Sequence, residues 1–293
     1  MKHFFSLSFL CMIMVVSTSI QAQTKYDTND GKGSVTIDES QTTLTADQQK
    51  MLDEINLVRT NPKAYIPHIE AEAASRLASF PAEYAKADAA TKKAMDEWKV
   101  DFDNNIAGLK KLLNEMKPVS KLEFSPCILK VAQAHAIDQT KILTNPWVPV
   151  DHNDSKGKGP AHRIGSTCSD FPGGGENLEW EVFAPHMPVD ARRSNSRLLI
   201  DQGVPSRGHR TTILHRDFTH CAPYNYQPTY EGTTMNVWIQ NFSAHKSYVP
   251  PAPTTLPAGC PTSASSISWH SGLQVDGKVV SQDCFDYWKA KLN

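Results

Sequence analysis

Side chains able to carry chemistry crowd into the second half of the chain. His152 and His162 fall within residues 145–175, a stretch rich in Gly, Pro, Asp and Ser with little periodicity, which reads as a long functional or mobile loop. Glu176 follows Gly173-Gly174-Gly175, and His209 stands where a helix opens near Ser206. Imidazoles and carboxylates act as proton-transfer groups or as metal ligands. Each also has a plainer role: Glu176 can cap the next turn, and His209 can be a hydrogen-bonded helix-start residue. His135, on a helix among alanines, reads as a packed core residue. Arg163 and Arg210 read as partners of carboxylates near a cleft, His162, His215 and His220 as surface or packing residues, and Trp180 and Trp238 as core aromatics. Neither HExxH nor GxSxG occurs, and Ser206 beside His209 is more simply a helix cap than a nucleophile.

The compartment follows from the N-terminus. Lys2 and His3 precede an apolar run from Phe4 to Val16, and the small-residue stretch Ser17 to Ala22 leads into polar Gln23-Thr24-Lys25. That order predicts a secretory signal peptide, residues 1–22, cleaved after Ala22. The run is shorter than the roughly 20 apolar residues that span a bilayer, and no later segment is apolar enough, so no membrane span is expected. Of the six cysteines, Cys11 leaves with the leader. Cys127, Cys168, Cys221, Cys260 and Cys284 remain, an odd number that allows two bridges and one leftover thiol. Cys260 with Cys284 is the first choice because it would tie down the tail, and no CxxC or Cys/His spacing suggests a structural zinc site. Net charge is −1 with both signs interspersed, which argues against nucleic acid and anionic membrane surfaces as partners.

The elements that must position these residues are legible in outline. Residues 23–43 are polar and without period, and read as a flexible lead-in. Thr45-Ala46-Asp47-Gln48 is a capping box, and Met51, Leu52, Ile55 and Val58 recur at helical spacing until Asn61-Pro62. Residues 63–118 read as two or three amphipathic helices broken at Pro81, a helical insertion. Ser125-Pro126 opens another helix carrying Ile128, Leu129, Ala132, Ala136 and Ile142. Helices are expected over 190–201 and from Ser206 to Leu214, then strands over 218–226 and 234–242, the latter alternating Met235, Val237, Ile239 against Asn236, Trp238, Gln240. Helices followed by paired strands predict an α+β fold with helices covering an antiparallel sheet. The run Val249-Pro250-Pro251-Ala252-Pro253 begins a stiff linker, residues 248–262, before an extension over 263–293 too short to build its own core.

A resemblance emerges from the order of segments. Leu52-Asp53-Glu54-Ile55-Asn56-x-x-Arg59-x-x-Pro62, Ala132-Gln133-Ala134-His135-Ala136-x-Asp138, Asp151-His152-Asn153, Gly175-Glu176-Asn177-Leu178, Ser206-Arg207-Gly208-His209-Arg210-Thr211-Thr212-Ile213-Leu214 and Asn236-Val237-Trp238-Ile239-Gln240-Asn241-Phe242 follow one another. In that order the chain resembles the CAP superfamily of cysteine-rich secretory proteins, venom antigens and plant pathogenesis-related proteins. The likeness covers residues 44–247, with the insertion as its main departure.

That resemblance implies an α-β-α sandwich with a cleft in which two histidines and two acidic residues face one another. Three positions map onto His152, Glu176 and His209. At the fourth the register places Gln202 where the family has glutamate, with Asp201 one residue earlier. Two neutral imidazoles and a carboxylate can hold a divalent ion, zinc first among them, with a position left for water or an anion. The expectation is a secreted, monomeric binding module with a metal cleft and a lipid or sterol groove. The alternatives are a metal-dependent hydrolase or peptidase using the same residues, with Glu176 or Asp201 as base, and an extracellular protein-interaction module.

Overall fold

The computed structural model describes residues 23–147, 150–182, 189–248, 256–268, 274–280, 284–285, 287–288 and 291. The expected signal peptide, and most of the Pro-rich run, lie outside the described residues.

Residues 23–43 are ordered by pairing. They form a hairpin of β1 (Thr24–Asp27) and β2 (Gly33–Ile37), in register from Thr24↔Ile37 to Asp27↔Ser34. Val35 and Ile37 are buried there, and two apolar residues in a Thr/Asp-rich stretch are too few to show a period. A Cβ at Gly33 would lie 2.4 Å from the Thr229 carbonyl oxygen, so this hairpin closes on the sheet only through glycine.

Helix α1 (Ala46–Thr60) starts at the complete Thr45/Gln48 capping box. Asn61 then caps α2 (Pro62–Leu77), with Pro62 in the first turn where its missing N–H costs nothing. The insertion continues as α3 (Phe80–Lys86) and α4 (Ala89–Glu115), with Pro81 at the start of α3. A short strand β3 (Glu123–Phe124) precedes α5 (Pro126–Ile142), whose N-terminus is capped by Ser125 accepting from the Ile128 amide. The stretch read as one long loop contains a helix, α6 (Pro160–Thr167). After it come β4 (Gly175–Val182), α7 (Ala191–Ile200), α8 (Gly208–Leu214), β5 (His220–Tyr226), β6 (Thr229–Tyr230) and β7 (Thr233–Ser243).

The sheet order is β1-β2-β6-β7-β5-β3, with β4 pairing antiparallel to β7 from Gly175↔Phe242 to Val182↔Met235. Helices lie on both faces, an α+β fold built in three layers. Alternation along β7 divides the core as period two requires. Met235, Val237 and Ile239 pack with Ile128, Leu129 and Ala132 of α5. Trp238 and Phe242 pack with Met51 and Ile55 of α1, Tyr65 of α2, Phe102 of α4 and Leu199 of α7. The insertion therefore belongs to the main core, since α2 and α4 bury Tyr65, Ile69, Phe102, Leu109 and Leu113 there.

Among the described residues there are two disulfides, Cys127–Cys168 and the expected Cys260–Cys284, and Cys221 is a buried free thiol. In the extension, β8 (Ile267–Ser268), β9 (Gln274–Val275) and β10 (Lys278–Val279) form a small antiparallel sheet. Among the described residues no helix is long and apolar enough to cross a membrane.

Candidate functional site

Glu176 is the second residue of β4 and not a turn cap. The glycines before it serve the sheet, because a Cβ at Gly174 would sit 1.9 Å from the Phe242 carbonyl oxygen. Its side chain has no solvent exposure and lies between one guanidinium and two imidazoles. Oε2 accepts from Arg163 Nη2 of α6 at 2.7 Å, while Oε1 lies 3.1 Å from His152 Nδ1 and 3.7 Å from His135 Nε2 of α5. Arg163 also donates through Nη1 to the carbonyls of His152 (2.6 Å) and Lys158 (2.7 Å), so one guanidinium fixes both the carboxylate and the loop that carries its imidazole partner.

Helix α5 holds the same loop from the other side. His135 donates from Nε2 to the Asp151 carbonyl at 2.9 Å. Gln139 accepts from the Asp151 amide at 2.8 Å and donates to the Asn153 carbonyl at 3.0 Å. His135 is buried as expected, yet it packs against the site and not in plain core. Burial pushes its pKa below the ordinary 6.5, against the opposing pull of Glu176.

His209 comes from the first turn of α8. Its Nδ1 is 2.7 Å from Asp201 Oδ1, and its backbone N–H donates to Asp201 Oδ2 at 3.0 Å. Asn177, next to Glu176 but pointing to the opposite face of β4, donates to the His209 carbonyl at 3.2 Å. Asp201 ends α7 in the left-handed conformation, φ +53°, with only 1% of its side chain exposed. Gln202 turns the other way and meets α4, donating to Asp101 Oδ2 at 2.6 Å and accepting from Asn105 Nδ2 at 2.8 Å. The acidic residue beside His209 is therefore Asp201. Arg210, expected to pair with a carboxylate, instead donates to the Leu199 and Ile200 carbonyls and to Asn105 Oδ1, and burial lowers its pKa to about 10.

The structure brings together His152, Glu176, His209 and Asp201 as two carboxylate–imidazole pairs. The two rings face each other with centroids 6.3 Å apart and planes tilted by 38°. His152 is the more open, 47% of its side chain against 21% for His209. A carboxylate on Nδ1 holds the proton there and leaves the Nε2 lone pair for a ligand, the second-sphere arrangement common behind metal-bound histidines. Two imidazoles sharing an ion at metal–nitrogen distances of roughly 2.0–2.1 Å have ring centres about 5–6 Å apart, a rotamer adjustment from what is seen. Both carboxylates face imidazole Nδ1 atoms, and among the described residues no three His, Cys, Asp or Glu side chains are grouped to hold one ion. The donor set does not fit a closed four-ligand site; what it offers an ion is two imidazoles.

Open grooves lie elsewhere. One of about 480 Å³ runs between α2 and α4 beside Leu77, Phe102 and Ile106, and one of about 420 Å³ between α3 and α4 beside Phe80, Met95 and Trp98.

No family model matches the chain, and no curated protein matches it. Among solved structures, the chain is similar to an outer surface protein from Borrelia burgdorferi, at 20% identity over 52% of this chain and 94% of that one, with a TM-score of 0.33. A similarity of that size carries no inference about this chain.

Proposed function

We propose that this chain is a secreted CAP-superfamily module that binds a divalent metal ion between His152 and His209. The observation that carries the reading is the pair of facing imidazoles, each backed at Nδ1 by a buried carboxylate and each with Nε2 left for the ion. The six sequence segments in family order support it; they fall on α1, α5, the His152 loop, β4, α8 and β7. Two disulfides fit an oxidising compartment.

A zinc ion so held would supply Lewis acidity and open coordination positions. This chain's own residues hold the imidazoles oriented: Glu176 and Arg163 for His152, Asp201 for His209. A hydrolase would further need a general base, and both carboxylates are already engaged by imidazole N–H groups. The binding reading is therefore the one we adopt.

Calorimetric titration of zinc into residues 23–293 tests it. One-site binding is expected, lost in the double variant His152→Ala/His209→Ala and weakened about 10–100-fold by Asp201→Asn, the usual effect of losing a second-sphere carboxylate. Binding that survives in the double variant, or no binding to the parent protein, would sink the proposal.

A further inference from the structure

The inserted helix α4 reaches the His209 side of the site from behind. Asn105, buried midway along it, donates to the Ile200 carbonyl at 2.7 Å and to Gln202 Oε1 at 2.8 Å. Its Oδ1 accepts from Arg210 Nη2 at 2.7 Å, and the same guanidinium takes the Leu199 carbonyl at 2.7 Å and the Ile200 carbonyl at 3.0 Å. One turn earlier on α4, Asp101 accepts from Gln202 Nε2 at 2.6 Å and lies 3.9 Å from the Arg207 guanidinium. Arg207 in turn donates to the Asp201 carbonyl.

Both chain neighbours of Asp201 are thus held by α4. Asp201 itself is in a left-handed conformation that a residue with a Cβ keeps only where its surroundings over-determine it. That conformation aims one carboxylate oxygen at the His209 amide and the other at its ring. Capping carbonyls at the end of α7 would require Arg210 alone; Asn105 and Gln202 add a link from the insertion to the residue that orients the imidazole.

We infer that Asn105 is a positioning residue for His209: through Ile200 and Gln202 it fixes the Asp201 turn, and the turn keeps His209 protonated at Nδ1 beside the His152 ring. The inference rests on the reading of His209 as a site residue, and it gives the insertion a role in the site.

The test uses the mature chain without metal, at one alkaline pH where both imidazoles are neutral. Nitrogen-15 imidazole spectra report the tautomer of each histidine, and amide exchange reports the His209 N–H bond to Asp201. Asn105→Ala is expected to move His209 toward the Nε2–H tautomer and to speed exchange of its amide about tenfold or more, while His152, held by Glu176 and Arg163, keeps its pattern. If that variant does not fold, Gln202→Ala cuts the same link at a half-buried position, with a smaller change of the same sign expected. An unchanged His209 tautomer in the folded variant overturns the inference. Because no metal is present, a protein that fails to bind zinc still decides the matter.

Discussion

At the scale of single residues, Glu176 is a charge without solvent, and Arg163 is its principal counter-ion. Removing one member of such a pair leaves the other buried and unanswered, which costs about 3–5 kcal/mol, whereas replacing both together costs much less. Arg163→Met is therefore expected to lower the unfolding free energy in urea by about that amount, and Arg163→Met/Glu176→Gln by less. Equal losses in the two proteins would mean that the pair is not coupled. Arg163 was legible as the partner of a carboxylate. Its hold on the His152 and Lys158 carbonyls, and the parts played by His135 and Gln139, were not, because these work through the backbone carbonyls and amides of residues 151–158, and spacing says nothing about carbonyls. His152, Glu176 and His209 were legible through the order of their segments. The choice between Asp201 and Gln202 was not, since it depends on the α7 helix stopping at Ile200 and the next residue turning left-handed.

Among the elements, the helices with caps read from sequence were placed well: Thr45 and Ser125 accept amide hydrogens where α1 and α5 begin, and Asp190 does the same at α7. Strand β4 escaped because both its faces are buried and one of them is acidic. Glu179 and Glu181 point to the side of α7, where Arg197 bonds them at 3.0 and 2.7 Å and also reaches Glu72 of α2 at 3.2 Å. Strand patterns are recognised by apolar alternation, and here an arginine stands in for the apolar partner. Cys127–Cys168 ties the start of α5 to the residue after α6 across a sequence separation of 41, enclosing the His152 loop. In the chain-entropy account a loop of that size is worth about 4 kcal/mol as an upper figure, and measured values run about 2–4. Cys127→Ala/Cys168→Ala is expected to lose about that stability and to speed amide exchange across residues 151–159. Removing Cys260–Cys284 is expected to leave the main unfolding transition in place, and a shift as large as that from the first bridge would mean that the small β8–β10 sheet unfolds together with the main core.

The whole molecule adds these burials into a dependence on acidity. His135 and His220 both have pKa values pushed below 6.5, chiefly by burial, with Glu176 and Glu123 pulling the other way and His245 adding to the effect at His220. A lowered pKa means that the unfolded chain takes up protons which the folded chain resists, so the stability these residues contribute is present above 6.5 and is lost as pH falls through the folded values. Glu179 has the opposite sign: burial raises its pKa above 4.5, so its folded form is favoured at low pH and penalised as pH rises through the raised value. Its slope opposes that of the histidines, whose share is isolated by a variant that cannot titrate. The histidine share of the urea midpoint is expected to fall between mildly alkaline and mildly acidic pH. In His135→Gln, whose amide can still donate to the Asp151 carbonyl but cannot titrate, the fall should be shallower. The same slope in both proteins would assign the acid sensitivity to other groups and release His135 from this role, leaving its hydrogen bond to the His152 loop as its only contribution.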